Sequence, residues 1–272
     1  MKISLIQMNS VSDKAVNIAA ARGLIERAVG EEGPDWLLLP EQFDWAGGVK
    51  GDKARNAEDL PGGPAYTMAQ EMAAKHRVFI HAGSLMERIE GDERIHNTTI
   101  VFDRRGDEIA RYRKIHLFDV TTPDGTAYRE SATVKAGDAV VTYDCEGFKI
   151  GCSICYDIRF PTLYQALADR GVDLVTVPAA FTVPTGKDHW ETLLRARAIE
   201  TQTYVAAAAQ TGSFKVNGET RQTYGHSLVA DPWGLVVARA SDGPGIVSTR
   251  IEKERIARVR GMIPVAEHKR AL

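Results

Sequence analysis

The sequence predicts an α/β fold in which two similar halves share one sandwich of sheets. Strand and helix patterns alternate at the start of the chain and again around residues 147–178. Hairpin patterns follow each of these units, an order that favours helices packed outside mixed sheets. Nothing between the halves has the composition of a linker. We therefore expect residues 1–272 to form a single domain, with a polar, basic tail from about residue 252.

The composition is that of an ordinary globular protein. Of 272 residues, 44% are hydrophobic and 26% are charged, a balance that disfavours disorder. The formal net charge of −2 gives no argument for nucleic acid or an anionic membrane as a partner. The three cysteines lack the spacing of a disulfide framework, and the first segment is too short and polar for a signal peptide. No apolar run approaches the roughly 20 residues of a membrane span. These features favour a cytoplasmic protein.

The first elements are a strand, a helix and a second strand. Residues 2–8 alternate in polarity as a strand does, and Ser12 or Asp13 can cap a helix that runs to about residue 29. The predicted inward stripe of this helix is Val16, Ala19, Ala20, Leu24 and Ala28. The apolar run 35–40 predicts a buried strand. Glu41 follows at its carboxyl end, where open α/β sheets place their chemistry.

The next part of the chain combines a loop, a helix and three strands. The glycine-rich segment 47–64 lacks the spacing of a phosphate-binding loop, so we interpret it as a loop beside a site. The elements predicted after it are a helix at 64–75 and strands at 78–86, 95–103 and 108–117. Residues 104–107 form a hairpin turn. Lys114 lies in a charge run that, on its own, is typical of a solvated edge strand.

The second half begins with a loop at 118–132 that carries Glu130 near its end. The elements predicted after it are strands at 139–144 and 147–154, a helix from Pro161 closed by Gly171, a strand at 173–178, a helix from Asp188 or His189 to about Gln202, and strands at 204–209, 224–230, 235–238 and 246–251. Residues 181–188 are predicted as a Pro/Gly loop and residues 231–234 as a turn.

Cys155 lies at the turn between a predicted strand and a predicted helix. Free backbone N–H groups and the helix dipole at such a junction would lower a thiol pKa and support an oxyanion. Free cysteines more often only pack in a core, and acids such as Glu41 mostly sit in water, so neither residue alone establishes a site. Cys152 and Cys155 also form a C-x-x-C pair, but no second ligand pair at metal spacing accompanies it.

Three motifs occur in an informative order. Glu41 follows LLLP, Lys114 lies in YRKIHLFD, and Cys155 lies in CSICYDIRFP. Over nearly the whole chain, from SLIQMN to DPWG, the sequence resembles the nitrilase superfamily of carbon–nitrogen hydrolases. The resemblance implies a four-layer αββα sandwich, two mixed sheets with helices outside. It also implies hydrolysis of amides or nitriles with no cofactor or metal, and homodimers that often assemble further.

The resemblance also assigns roles that suit the residue types. It implies that Cys155 attacks the amide carbon and forms a thioester, while Glu41 takes the thiol proton and later activates water. Lys114 and the backbone N–H of Tyr156 would stabilise the tetrahedral oxyanion, since a lysine beside two acids stays charged. Glu130, in YRES, matches a supporting glutamate of the family more loosely.

The substrate is less well specified than the chemistry. Arg159 either pairs with Asp157 or a partner subunit, or binds a substrate carboxylate, and Thr182 is a second candidate for that contact. The motifs HLFD, CYDIRFP, YGHS and DPWG most resemble the branch that contains deaminated glutathione amidase and ω-amidase, whereas the loop TTPDGTAYRES matches neither. The expected reaction is hydrolysis of the C–N bond of a small carboxylate-bearing amide, with release of ammonia.

Other functions stay open on the sequence alone. A hydrolase of N-carbamoyl amino acids or carbamoyl-polyamines would use the same site. A catalytically silent scaffold would keep the fold, although the presence of all three site residues argues against it. True nitrile hydrolysis is disfavoured because Tyr156 stands where that group usually carries tryptophan.

Overall fold

Two large β-sheets face each other in the computed structural model, which describes residues 1–122 and 125–270. Helices pack on the outer face of each sheet, so the predicted αββα sandwich is confirmed. Two residues of the predicted loop 118–132, and the last two of the predicted tail, lie outside the described residues.

The strands are numbered along the chain. Their bounds are Lys2–Gln7 (β1), Trp36–Leu38 (β2), Phe79–His81 (β3), Leu85–Arg88 (β4), Ile95–Phe102 (β5), Glu108–Arg113 (β6), Asp119–Thr121 (β7), Ala127–Arg129 (β8), Thr142–Cys145 (β9), Phe148–Cys152 (β10), Leu174–Thr176 (β11), Tyr204–Ala207 (β12), Thr211–Val216 (β13), Glu219–Tyr224 (β14), Leu228–Ala230 (β15), Val236–Arg239 (β16) and Gly245–Arg250 (β17).

Each large sheet mixes parallel and antiparallel pairs. Within the described residues, the first sheet has the order β17-β1-β2-β3-β5-β4, with β6 also paired to β5. The second sheet has the order β16-β15-β12-β11-β10-β9. Two separate hairpins, β7-β8 and β13-β14, were not predicted. The first lies inside the predicted loop 118–132, and the second accounts for most of the chain between β12 and β15.

The helices are also numbered along the chain. Their bounds are Lys14–Glu32 (α1), Asp52–Asn56 (α2), Pro64–His76 (α3), Pro161–Asp169 (α4), Val183–Thr201 (α5), Lys253–Met262 (α6) and Val265–His268 (α7). Two short 3₁₀ helices occupy Glu130–Ala132 and Cys155–Arg159.

Alternate residues of the first sheet face opposite layers, as the pleat of a strand requires. Trp36 and Leu38 face the second sheet and belong to one cluster with its Leu174. Leu37 faces the other way and packs in the cluster that includes Ile25 of α1. Because both faces of β2 are covered, its sequence is a continuous apolar run, as predicted.

A polar network crosses the interior between the sheets. The indole Nε1 of Trp36 donates to the hydroxyl of Tyr143 at 2.9 Å, and Nδ1 of His81 lies 3.1 Å from the same oxygen. Burial lowers the pKa of His81 to about 3, so this imidazole is neutral inside the fold.

The predicted inward stripe of α1 was wrong at Val16, Ala19 and Ala20, which are exposed, whereas Leu24 is partly buried against the core and Ala28 is buried. The buried residues of this helix are Asn17, Ala21, Ile25 and Ala28, whereas Val16 is 55% exposed. Asn17 sets this orientation, because its amide accepts from the N–H of Val11 at 2.8 Å and donates to the carbonyl oxygens of Val11 and Asp44 at 2.7 and 2.9 Å. The predicted Asp13 cap is present, with its side chain accepting from the N–H of Val16.

One other prediction for the helices was wrong, and the helices after residue 252 were not predicted. The predicted loop 181–188 is mostly helix, because Thr182 caps α5 with its hydroxyl 3.4 Å from the N–H of Thr185, and the first turn tolerates proline. The chain after residue 252, predicted only as a polar, basic tail, forms helices and docks on the rest of the protein. Its helix α6 buries Ile256 and Val259, and Nη2 of Arg255 pairs with Oδ2 of Asp231 at 2.6 Å.

Candidate active site

The side chains of Glu41, Lys114 and Cys155 come together where strands of both sheets end. Glu41 lies shortly after β2, Lys114 directly after β6, and Cys155 shortly after β10. They are 3%, 2% and 8% exposed, respectively. Three residues that are far apart in the sequence therefore form one buried cluster.

The close approach of a glycine positions the segment that carries Glu41. Gly83 has a φ of +46° and breaks the predicted strand 78–86 into β3 and β4. A Cβ at this position would overlap the carbonyl oxygen of Pro40, so only glycine fits. The next residue, Ser84, accepts the N–H of Gln42 on its hydroxyl at 2.9 Å, which fixes the chain on the other side of Glu41.

The carboxylate of Glu41 is held by three donors. Its Oε1 accepts from the ammonium Nζ of Lys114 at 3.0 Å and from the amide Nδ2 of Asn97 at 2.8 Å. Its Oε2 accepts from the backbone N–H of Ala180 at 2.9 Å. These bonds fix the orientation of the carboxylate. Neither Asn97 nor Ala180 carried a signal in the sequence, because each is recognised only by its place in space.

Lys114 bridges two glutamates. Its Nζ lies 3.1 and 2.9 Å from Oε1 and Oε2 of Glu130, and Oε2 of Glu130 also accepts the N–H of Phe118 at 2.6 Å. Burial opposes the charge of Lys114, but Glu130 and Glu41 outweigh it and hold its pKa well above the usual value. The lysine stays charged, as predicted from its two acidic neighbours.

Cys155 has a backbone conformation that is rare for a residue with a side chain. Its φ is +47°, and its N–H donates to the carbonyl oxygen of Pro178 at 2.9 Å. It is the first residue of the 3₁₀ helix Cys155–Arg159, so Tyr156 follows in the first turn, where backbone N–H groups have no partner within the helix. Backbone strain of this kind concentrates at functional sites.

The prediction of a lowered thiol pKa at Cys155 was wrong. Burial raises this pKa, the neighbouring carboxylate of Glu41 raises it further, and the result lies well above the usual value. Lys114 and the N–H of Ala180 act in the opposite direction without reversing it. The helix-terminus argument failed because it ignored desolvation, which penalises the thiolate. The thiol is therefore protonated at rest and needs a base.

Asp157 anchors the turn that presents Cys155, a role that sequence reasoning missed. Its Oδ2 accepts from the hydroxyl of Tyr112 at 2.7 Å and from the N–H of Ile154 at 2.8 Å. Its Oδ1 accepts from the backbone N–H and the ring Nδ1 of His116, at 3.0 and 2.8 Å. This fully buried carboxylate ties the turn to β6 and to the segment that follows Lys114.

Arg159 and Thr182, the two candidates for binding a substrate carboxylate, differ in their position relative to the cavity. The guanidinium of Arg159 does not pair with Asp157. It lies 5.9 and 5.5 Å from the ring centroids of Tyr156 and Phe181, and its Nη2 is 3.3 Å from Nδ1 of His189. Thr182 lines the cavity described next, whereas Arg159 is absent from the described residues that line it.

A cavity of about 450 Å³ opens onto the three side chains. Such a volume suits a small-molecule ligand. Its described walls include part of the segment 47–64, so this segment lies beside the cavity, although the predicted loop contains the short helix α2. They also include two basic residues that sequence reasoning missed, Lys53 of α2 and Arg221 of β14.

In residues 1–122 and 125–270, no group of three or more His, Cys, Asp and Glu side chains is placed to hold a metal ion. Cys152 and Cys155 are both free and buried. Over that part of the chain, no helix has both the length and the apolar character to span a membrane.

Comparison with known proteins identifies the family. A family model for carbon-nitrogen hydrolases matches residues 2–261. The chain belongs to this family. This carbon–nitrogen hydrolase is 41% identical over 272 residues to a deaminated glutathione amidase of Synechocystis, with 97% of this chain and 96% of the relative covered.

Solved structures agree with this assignment. The NitFhit protein of Caenorhabditis elegans matches with a TM-score of 0.91 and 40% identity, over 99% of this chain and 65% of that one. Nit3 of Saccharomyces cerevisiae, described as a member of branch 10 of the nitrilase superfamily, matches with a TM-score of 0.86 and 32% identity, over 97% and 94% of the two chains. The predicted family, its fold and its class of enzyme are confirmed.

Proposed function

We propose that this carbon–nitrogen hydrolase is an amidase that cleaves a small carboxylate-bearing amide, with deaminated glutathione as its substrate. The observation that carries the proposal is the meeting of Cys155, Glu41 and Lys114 in the wall of one cavity. The name of the Synechocystis relative supports the choice of substrate.

The first half of the reaction forms a thioester. Glu41 takes the proton of the Cys155 thiol as the sulfur attacks the carbonyl carbon of the substrate, because a buried thiol does not ionise on its own. The carbonyl oxygen becomes an oxyanion that Lys114 and the N–H of Tyr156 stabilise. The C–N bond then breaks, the leaving nitrogen takes the proton from Glu41, and the acyl group stays on the sulfur.

The second half releases the acid. Glu41, again a carboxylate, removes a proton from a water molecule that attacks the thioester carbon. The same oxyanion site stabilises the second tetrahedral intermediate. The C–S bond breaks, the sulfur recovers its proton from Glu41, and the product leaves as a carboxylic acid. Glu130 keeps Lys114 oriented and charged through both halves.

The expected release of ammonia does not apply to this substrate. Deaminated glutathione is a glutathione derivative whose amide nitrogens are secondary, so cleavage releases an amine rather than ammonia. Only a primary amide, such as the substrate of an ω-amidase, would release ammonia. An assay must therefore follow both products.

The test is a substrate panel with matched variants. Deaminated glutathione, α-ketoglutaramate, an N-carbamoyl amino acid and a simple nitrile are incubated with the wild type, with Cys155→Ala and with Cys152→Ala. We expect cleavage of deaminated glutathione by the wild type, and a loss of about 10³-fold or more in kcat for Cys155→Ala. Cys152→Ala makes the same substitution on β10 and should stay within a few-fold of the wild type.

Each outcome of the panel decides between hypotheses. Cleavage of α-ketoglutaramate or of the carbamoyl compound alone would assign the site to the corresponding alternative amidase. Full activity in Cys155→Ala would exclude Cys155 as the nucleophile. Inactivity of the wild type towards every compound would favour the scaffold. Mass spectrometry of quenched reactions should also show the acyl group on Cys155.

We also propose a homodimer and a cytoplasmic location for the enzyme, with residues 1–272 as one hydrolase domain. An apolar patch supports the dimer: Ile199, Trp233, Leu235, Met262 and Ile263 are each between 44% and 54% exposed. These residues come from neighbouring elements, since Nε of Arg195 on α5 donates to the carbonyl oxygen of Gly234 at 2.7 Å and Nε2 of Gln202 donates to that of Ile263 at 2.6 Å. The buried free cysteines suit a reducing compartment. Light scattering of Leu235→Asp should show a monomer if the patch is the interface.

A further inference from the structure

Two basic residues of the cavity have no part in the chemistry described above. Among the charged side chains that line it, Lys114 is paired with Glu41 and Glu130, and Arg129 is exposed and donates to backbone carbonyl oxygens. Lys53 and Arg221 are partly buried, and both line the same cavity.

Lys53 has no directly contacting anionic partner among the described residues. Over the described part of the chain, its ammonium makes neither a hydrogen bond nor a salt bridge, although it lies within electrostatic range of Glu130, Lys114 and Arg221. Burial is the main cause that lowers its pKa; Glu130 and Glu41 act to raise it, and Lys114 and Arg221 act to lower it. Even a partly buried ammonium without a close partner loses hydration, so an anion from outside the chain would stabilise it.

Arg221 is also incompletely satisfied. Its Nε is buried and has no hydrogen-bond acceptor in the part of the chain that the structure describes. Its Cζ lies 4.7 Å from the ring centroid of Tyr128, which orients the guanidinium. An oriented guanidinium with unused N–H groups matches the two oxygens of a carboxylate.

The two elements that carry these cations are joined to each other. The N–H of Gly48 donates to the carbonyl oxygen of Lys215, and the N–H of Asn217 donates to the carbonyl oxygen of Gly48, both at 2.9 Å. A Cβ at Gly47 would overlap the carbonyl oxygen of Lys215, so this approach requires glycine. The loop before α2 and the hairpin β13-β14 therefore form one wall of the cavity.

We propose that Lys53 and Arg221 form a subsite that binds a carboxylate of the substrate and selects anionic amides. The inference rests on the proposed amidase function and extends it to the recognition of the substrate. A deaminated glutathione molecule carries two carboxylates, one on the acyl part and one at the glycine end. Both have the chemistry that this subsite recognises, and the experiment below separates them.

The competing explanation is structural. Glu41, Lys114 and Glu130 together carry one net negative charge, and Lys53 offsets it from a distance. If that were its whole role, loss of Lys53 would disturb Glu130 and lower kcat on every substrate alike. A carboxylate subsite instead predicts a rise in KM that appears only when the substrate has the carboxylate.

The first measurement compares kinetics on matched substrates. Lys53→Met and Arg221→Leu are assayed with deaminated glutathione, with its glycinamide analogue and with an analogue that lacks the acyl-side carboxylate. We expect KM for deaminated glutathione to rise about 10- to 100-fold in each variant, with kcat within about 2-fold. For the analogue that lacks the recognised carboxylate, KM should be the same in the variants as in the wild type. Lys53→Arg should restore most of the affinity, and Lys75→Met, on the exposed face of α3, serves as the control.

The second measurement needs no turnover and separates this proposal from the proposed function. Binding of glutarate and of N-acetylglycine to Cys155→Ala is measured by calorimetry, with and without Lys53→Met. Weaker binding of either acid on loss of Lys53 would support the subsite even if the wild type cleaved nothing in the panel. Unchanged binding of both, or an equal kcat loss on charged and neutral substrates, would overturn it.

Discussion

Replacing Asp157 with asparagine should destabilise the protein strongly, because its carboxylate accepts four hydrogen bonds and donates none. The NH₂ group of an asparagine must take the place of one carboxylate oxygen. On one side it would meet the backbone N–H of Ile154, and on the other the backbone N–H of His116. Either orientation leaves one buried N–H without an acceptor, at a cost of about 1–3 kcal/mol.

The loss of charge adds to this cost. The bonds that remain become neutral and weaken, by about 1 kcal/mol each at most, so we expect a total loss of about 3–5 kcal/mol in the free energy of unfolding. That is a large share of the roughly 5–15 kcal/mol typical of a folded domain. The variant should also lose kcat while it is still folded, because the strained turn at Cys155 loses its anchor.

Denaturant unfolding and amidase kinetics on the same preparation test this reasoning. Asp173→Asn is the matched control, because a single oxygen of Asp173, Oδ2, accepts both the N–H of Lys149 at 2.9 Å and the ammonium of Lys253 at 2.7 Å. An asparagine can keep its oxygen there, so the control should lose no more than about 1–2 kcal/mol. Equal losses for the two variants, or a loss below about 1 kcal/mol for Asp157→Asn, would refute the argument.

Three further results are expected. Burial raises the pKa of Asp44 to about 6, so the native state binds a proton more tightly than the unfolded chain. The free energy of unfolding should therefore fall as pH rises from about 4 to 6. Asp44→Asn should remove this fall and gain up to about 3 kcal/mol at pH 7, as measured by denaturant titrations across pH. His81, with a folded pKa of about 3, has the opposite sign, so His81→Asn should flatten the loss of stability as pH falls from about 6.5 to 3, and an unchanged acid limb would contradict this. Gly83→Ala should displace the chain before Glu41 and abolish activity, while Gly91→Ala, with φ also positive but open space around it, should cost only about 1–2 kcal/mol and keep kcat.

The fold was readable from the sequence where burial dictates the pattern. The run 35–40 is apolar throughout because β2 is covered on both faces, and the hairpin at 104–107 has its turn residues in place. The inward face of α1 was not readable, since a buried Asn17 breaks the apolar period and many alanines fit either face. The polar hairpin β13-β14 was missed because its strands lie away from both large sheets and have no core-facing pattern.

The candidate site shows the same division. Glu41, Lys114 and Cys155 were found because each belongs to a motif in the chain, and the structure brings them together. Lys53 sits in a five-residue helix inside a glycine-rich segment, too short for any periodic signal. The pKa direction at Cys155 was also beyond sequence reasoning, because it depends on how completely the folded chain removes water from the sulfur.

The resting thiol has a consequence for how this enzyme meets reactive chemicals. Alkylating agents and peroxides attack the thiolate, and a protonated, enclosed sulfur offers them little of it. We therefore expect Cys155 to react with oxidants and iodoacetamide more slowly than the ionised nucleophile of a cysteine protease. Slow labelling of Cys155 would then be expected of a nucleophile that is protonated at rest, and would not by itself indicate an inert cysteine.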